Sequence, residues 1–376
     1  MDGSAARQHY PALDGVRGIA ALGVVFAHFH ALFGIVNSQV GVDVFFVLSG
    51  FLITRLLNDE LQQTGSIRFG RFYLRRALRL MPALVLMVGF FVLVAIVRQH
   101  DLEATFAAAG AALTYTTNWF RALRFGDGGE FANTWTLAIE EQFYLTLPLV
   151  LLLLAPRLAK IGRLVFFAVL AIAIYVHRAD LIAASAQAPG WIYYAFHTRA
   201  DSLIVGVIAA LALDLRGRRP LTARGDRMLL AGAIFGCSAI FFAMIFRTPY
   251  EVYLQFVEPF VTIGTALLLL HLVGGKDSVI RRALSITPLT RVGTVSYGLY
   301  LWHYPILIVF ASLAAPLELS ALGYQAVSLF ILLPLSFAGC VLSYRYVERP
   351  FLALKDRVGS ARTPAGGTIA AARPAG

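Results

Sequence analysis

MPALVLMVGFFVLVAIV, residues 81–97, runs for 17 residues without a charged side chain. A helix of that length covers roughly 25 Å, most of the hydrocarbon thickness of a bilayer. QFVEPFVTIGTALLLLHLV (255–273) is a second run of spanning length, broken by the single carboxylate of Glu258. Across all 376 residues, 59% are hydrophobic, only 14% are charged, and the mean hydropathy is +0.72. A soluble domain carries about a quarter charged residues. The composition therefore excludes an ordinary soluble enzyme and points to an all-α, polytopic transmembrane helix bundle.

Ten spans can be drawn, at 16–34, 42–58, 80–98, 134–155, 164–177, 198–215, 228–246, 255–273, 293–313 and 323–345. The net charge of +11 could suggest nucleic acid, but the basic residues fall between the apolar runs. With both termini cytoplasmic, 23 of the 32 Lys and Arg lie in cytoplasmic segments and 4 on the opposite side. Counting 105–119 as an eleventh span would scatter the basic loops over both faces. The positive-inside rule favours ten spans, with 105–119 as a re-entrant or surface helix, and no nucleic-acid partner. The start lacks a cleavable leader pattern, so the first span is expected to be retained. The Ala/Gly/Pro-rich end, 351–376, is expected to be a disordered cytoplasmic tail, leaving 1–350 as one membrane domain. Cys237 and Cys340 fall inside apolar runs at a spacing that fits no zinc motif, and read as packing residues.

Ionisable residues inside such spans are costly and mark function by default. Arg17 and His28 are eleven residues apart, so on a regular helix they share a face about 16 Å apart. His303, in SYGLYLWHYP (296–305), lies at a depth similar to that of His28 on a span running the same way. The two imidazoles could face one cavity, or each could simply tie helices together. Asp43 opens the second span and could orient an imidazole, bind a hydroxyl or cap the helix. In that span Gly50 would allow close backbone approach. Glu140 and Glu141 sit side by side in the fourth span, so at least one should meet Arg, His or water. Arg199 and Asp201 flank the start of the sixth. In the basic segment RFGRFYLRRALRLMP (68–82), Arg71, Arg75 and Arg79 recur every four residues and form a ladder if that segment is helical. Guanidinium forks suit phosphate oxygens, although a lipid anchor would use the same charge.

These blocks, in this order, resemble membrane-bound acyltransferase family 3, the bacterial integral-membrane O-acyltransferases. Arg17 and His28 match its Arg/Lys-x10-His signature, and GVDVFFVLSGFLI the block after it. RRALRLMP, NTWTLAIEEQFYL, HTRADSLIVG, SYGLYLWHYP and YRYVERPF match later blocks. Thr136 and Gly298 stand where serine is frequent. Members with a fused esterase-like domain extend further, and this chain is expected to be the stand-alone membrane domain.

The resemblance implies a multi-pass inner-membrane enzyme. It would transfer an acyl group, most simply acetyl from acetyl-CoA, to a sugar hydroxyl of a surface glycan or glycosylated metabolite, with no metal. His28 would be the general base, with Arg17, Glu140 and Asp43 completing the catalytic set. Arg71, Arg75, Arg76 and Arg79 would bind CoA. His303, Tyr300, Arg199, Asp201 and Trp135 would contact a carbohydrate or lipid-linked acceptor. A proton-coupled exporter is the competing reading, since transporters also carry intramembrane ionisable residues.

Overall fold

A computed structural model describes residues 9–29, 37–184, 190–217, 220–246 and 248–360. His30 lies outside the described residues, as does 361–376 of the expected tail.

The elements, in order, begin with α1 (Pro11–His28), α2 (Ser38–Thr64), α3 (Phe69–Val97), α4 (Leu102–Leu113) and α5 (Thr117–Ala122). A 3-10 turn, Gly129–Thr134, leads into α6 (Trp135–Leu154), followed by α7 (Lys160–Ala183), α8 (Trp191–Tyr194), α9 (Ala200–Arg216) and α10 (Ala223–Ile245). The short α11 (Tyr250–Val252) joins α12 (Glu258–Gly274) through a π turn, and α13 (Val279–Leu284) and α14 (Thr287–Thr294) precede α15 (Ser296–Ala314). The last stretch, α16 (Ala321–Val327), α17 (Leu333–Ser343) and α18 (Arg349–Ser360), is interrupted by two further π turns. Helix therefore continues ten residues past 350, into the expected tail.

Local signals fix several ends. Pro11 occupies the first turn of α1, where its missing N–H costs nothing. Asn37 caps α2 by accepting from the Gln39 N–H at 3.1 Å, so Asp43 is not the cap. Gly65 closes α2 at φ +71°, the left-handed position that ends many helices.

Eight helical stretches among the described residues are long and apolar enough to cross a membrane. The other two expected spans correspond to α1 and α9, of 18 and 17 residues, which carry Asp14 and Arg17, and Asp201 and Asp214. α4, with 12 residues, is a shorter apolar helix and not an extra span by this measure. α3 starts eleven residues before the expected span, so the arginine-rich segment is helical and continuous with the apolar run.

Two apolar cores flank α1 and α2. One gathers Val24, Val25, Phe29, Phe46, Leu84, Trp135 and Leu301; the other gathers Ala12, Val16, Val44, Phe51, Val261 and Leu269. α2 crosses α9 closely: a Cβ on Gly50 would run into the Leu203 carbonyl, and one on Gly206 into that of Val47. Glycine at both positions lets the backbones touch. Around the outside, Val85, Phe90 and Leu93 of α3 and Val165, Val169 and Ile172 of α7 form part of an exposed apolar surface suited to lipid. The protein is an integral membrane protein whose site-bearing helices, α1 and α2, run through its middle.

Candidate active site

α1 and α15 bring His28 and His303 together. His28 Nδ1 lies 3.0 Å from His303 Nε2, with the rings stacked at a centroid distance of 5.2 Å. The other nitrogen of His303, Nδ1, is 3.1 Å from the Leu299 carbonyl. A carbonyl only accepts, so Nδ1 of His303 carries a proton. In the neutral ring Nε2 then accepts, and the donor to it is Nδ1–H of His28. A neutral His28 is thereby held with the lone pair on Nε2, the form a general base needs. His303 is fully buried and lines neither cavity described below, so it stands behind His28.

His28 faces a cavity of about 380 Å³. Its wall is aromatic and amide-rich: Trp135, Tyr193, Tyr194, Tyr300 and Tyr304, with Gln39 and Asn133. Asn133 donates its amide to the Tyr300 carbonyl at 2.7 Å, which turns Oδ1 the other way. That Oδ1 and Gln39 Oε1 are buried acceptors with no protein donor among the described residues. Buried polar atoms are nearly always paired, so these two acceptors suit a hydroxyl-bearing ligand.

A second, smaller cavity of about 60 Å³ is lined by Arg17, Ser49, Thr136, Glu140, Ser296 and Tyr297, among others. Val42 and Tyr300 line both cavities. Tyr300 is clamped: its hydroxyl accepts from Thr136 at 2.8 Å and donates to the Asn133 carbonyl at 2.9 Å. Glu140 accepts from Ser49 at 2.7 Å. Thus Arg17 and Glu140 share the smaller cavity, and it is His303 that hydrogen-bonds the His28 ring.

The arginine ladder divides. Arg76 turns inward, donating to Glu141 at 2.7 Å and lying 3.5 Å over the Tyr144 ring. The expectation that one of the paired glutamates meets an arginine holds for Glu141. Arg79 is exposed yet in electrostatic reach of Arg17, Arg76 and Glu140. Three guanidiniums in one neighbourhood suit an anionic ligand. Arg71 and Arg75 lie on the same helix, nearer its start.

Asp43, Arg199 and Asp201 do not line either cavity. They belong to a buried ionic network. Arg199 pairs with Asp43 at 2.6 Å, and Arg178 with Asp201 at 2.7 Å and Glu258 at 2.8 Å. Ser202 bridges Glu258 and Asp43, and Tyr253 donates to Asp43 at 2.7 Å. The π turn before α12 frees a carbonyl, that of Leu254, which Arg178 also binds. Arg199 nonetheless lies 5.2 Å over the ring of Tyr193, which lines the larger cavity. Arg178 and Glu258 escaped the sequence reading because each looks like a span-edge charge. Gln39, Arg121 and the tyrosines of α8 carried no signal; only Asn133, two residues before Trp135 in a matched block, could have been found.

Comparison with known proteins bears on this arrangement. The acyltransferase domain of family 3 matches residues 10–345. The peptidoglycan O-acetyltransferase OatA of Listeria monocytogenes is 30% identical over 365 residues, 92% of this chain and 56% of the relative. The putative peptidoglycan O-acetyltransferase YrhL of Bacillus subtilis is 30% identical over 91% of this chain and 55% of its own length. The O-acetyltransferase OatA of Staphylococcus aureus is 28% identical over 91% and 57%. This chain thus spans about half the length of these curated relatives. No solved structure matches. From its α1 signature to the last π turn, the chain belongs to acyltransferase family 3.

Proposed function

We propose that the protein is an inner-membrane O-acyltransferase that moves an acyl group, acetyl in the simplest case, from acyl-CoA to a sugar hydroxyl of a cell-surface glycan. The carrying observation is the His28–His303–Leu299 chain facing a cavity with two unpaired acceptors. Relatives named as peptidoglycan O-acetyltransferases favour a cell-wall glycan as the acceptor.

On this reading the acceptor enters the larger cavity, with Asn133 Oδ1 and Gln39 Oε1 receiving its spare hydroxyls. His28 Nε2 takes the proton of the reacting hydroxyl as its oxygen bonds to the thioester carbonyl carbon. The C–S bond then breaks, and the proton passes from His28 to the departing thiolate. His303 keeps Nδ1–H of His28 engaged throughout and steadies the imidazolium that forms transiently. The donor comes from the side of Arg17, Arg76 and Arg79, which would hold its phosphates or carbonyls. With the N-terminus cytoplasmic, that side is the cytoplasm. Arg71 and Arg75 would add charge along the approach, and no metal is required for these steps.

The test is thiol release and product mass spectrometry with detergent-purified protein, acetyl-CoA and muropeptide-bearing glycan. Acceptor-dependent thiol release with an acetylated product is expected. Absence of both across glycan acceptors would return the exporter reading to first place.

A further inference from the structure

The larger cavity has an uneven charge. Among the described residues that line it, Arg121 is the one with a permanent charge, and none is Asp or Glu. Segments 30–36 and 185–189, which adjoin its wall in sequence, contain no acidic residue either. The nearby Asp127 is exposed and accepts from the Gly129 N–H at 2.8 Å.

Arg121 is mounted firmly but little used. α5 is held to α6 by reciprocal amide bonds between Asn118 and Gln142, at 2.9 and 3.3 Å, and to the turn before it by Thr117 and Thr134 at 2.8 Å. The guanidinium lies 4.1 Å over the Tyr194 ring, which fixes its plane and leaves its charge intact. Its hydrogen bond among the described residues is a long one, from Nη1 to the Ala132 carbonyl at 3.4 Å. A guanidinium has five N–H donors, so most of the fork is left for something in the cavity. The same wall holds the two unpaired acceptors, Asn133 Oδ1 and Gln39 Oε1.

We propose that this cavity selects an acceptor that carries an oxyanion, a carboxylate or a phosphate, beside the hydroxyl that reacts, and that Arg121 binds that oxyanion. The proposal rests on the acyl-transfer reading and narrows its acceptor to acidic sugars or sugar phosphates. A planar fork held over a ring matches both groups in a two-pronged fashion, and such charge-assisted bonds are strong in a partly buried site.

The test compares three probes of one sugar framework: methyl glucoside, methyl glucuronide and glucose 1-phosphate. KM and kcat for acetyl transfer are measured with wild-type protein, Arg121→Gln and Arg121→Lys, each checked for folding by its elution profile and thermal midpoint. Wild type should show a KM about tenfold or more lower for at least one anionic probe than for the glucoside, the size expected of one charge-assisted contact. The carboxylate and phosphate arms identify which oxyanion is preferred. In Arg121→Gln the ratio between neutral and anionic probes should fall to near one, and Arg121→Lys should keep part of it. Equal KM values in wild type, or an unchanged ratio in Arg121→Gln, would overturn the proposal. Equilibrium binding of the same probes, followed by tryptophan fluorescence, separates the two readings. With no acetyl transfer to any acceptor, tighter binding of an anion by wild type alone still upholds the subsite, and equal binding rejects it.

Discussion

Two groups of ionisable side chains lie inside this bundle, and they are built differently. Around Arg178 and Arg199, each carboxylate of Asp43, Asp201 and Glu258 is paired, with Ser202 and Tyr253 taking further lone pairs. At His28, one hydrogen-bonded chain runs from its ring to His303 and on to the Leu299 carbonyl. The neighbouring amides there leave two acceptors without a protein donor. A network whose carboxylates are all met ties α2, α7, α9 and α12 together, although Nε and Nη1 of Arg199 find no acceptor among the described residues. An open one keeps polar atoms for a ligand. Depth in the membrane alone does not separate the two cases; pairing of the acceptors does, since the carboxylates of the ionic network meet protein donors and the amide oxygens beside His28 do not.

The comparison can be broken most directly at its ends. His28→Ala should reduce acyl transfer by about 10²- to 10⁴-fold, the usual range for a lost general base, with the thermal midpoint in detergent barely changed. Transfer near the wild-type rate would place the base elsewhere. Arg178→Ala should do the reverse and act on folding, because two buried carboxylates lose their partner at a cost of about 3–5 kcal/mol. A steep loss of monodisperse protein is the expected readout. Adding Asp201→Asn and Glu258→Gln should recover much of it. An Arg178→Ala protein as stable as wild type but inactive would make this network part of the site.

A finer cut concerns His303. Glutamine can accept the Nδ1–H of His28 through its amide oxygen, and leucine cannot. His303→Leu should lower kcat by about ten- to a hundredfold, within the range of lost base positioning, with KM for the acceptor little changed. His303→Gln should restore part of the loss. Equal defects in both would mean that the ring only fills space.

The smallest effect is expected at the exposed pair His177 and His197, whose rings are 5.6 Å apart. Partial loss of water around the ring, and then the charge of His177, holds the His197 imidazole below its ordinary value. The unfolded chain therefore takes up its proton first as pH falls below about 6.5, so stability should decline there. Thermal midpoints at pH 7 and 5.5 should differ less in His197→Gln than in wild type. A larger difference in the variant would reverse the sign of this argument.

Much of the helical architecture is legible in the sequence because long apolar runs report helices. The meeting of His28 and His303 follows from depth and direction on two helices. What the sequence did not show was the pairing of Asp43 with Arg199 and of Asp201 with Arg178. A sequence gives the height and face of a charge but not which neighbouring helix satisfies it. Arg178 shows why. It follows the apolar run drawn as 164–177, yet α7 continues to Ala183 and carries it into the interior. Likewise Arg76 and Arg79 look equivalent until Glu141 draws one of them inward. Part of the wall of the larger cavity comes from short helices and turns without periodicity, and Gln39 sits in the first turn of α2, ahead of the expected span, which leaves Arg121 and Gln39 unmarked in the sequence.

The central claim is that His303 holds His28 with its proton on Nδ1 and its lone pair on Nε2. Histidine-selective 15N NMR of the detergent-solubilised protein above neutral pH tests it directly, with His28→Gln used to assign the signal. The account requires Nδ1-protonated, Nε2-bare shifts for His28 in wild type, replaced by a tautomer mixture in His303→Leu. An Nε2-protonated His28 in wild type would contradict it.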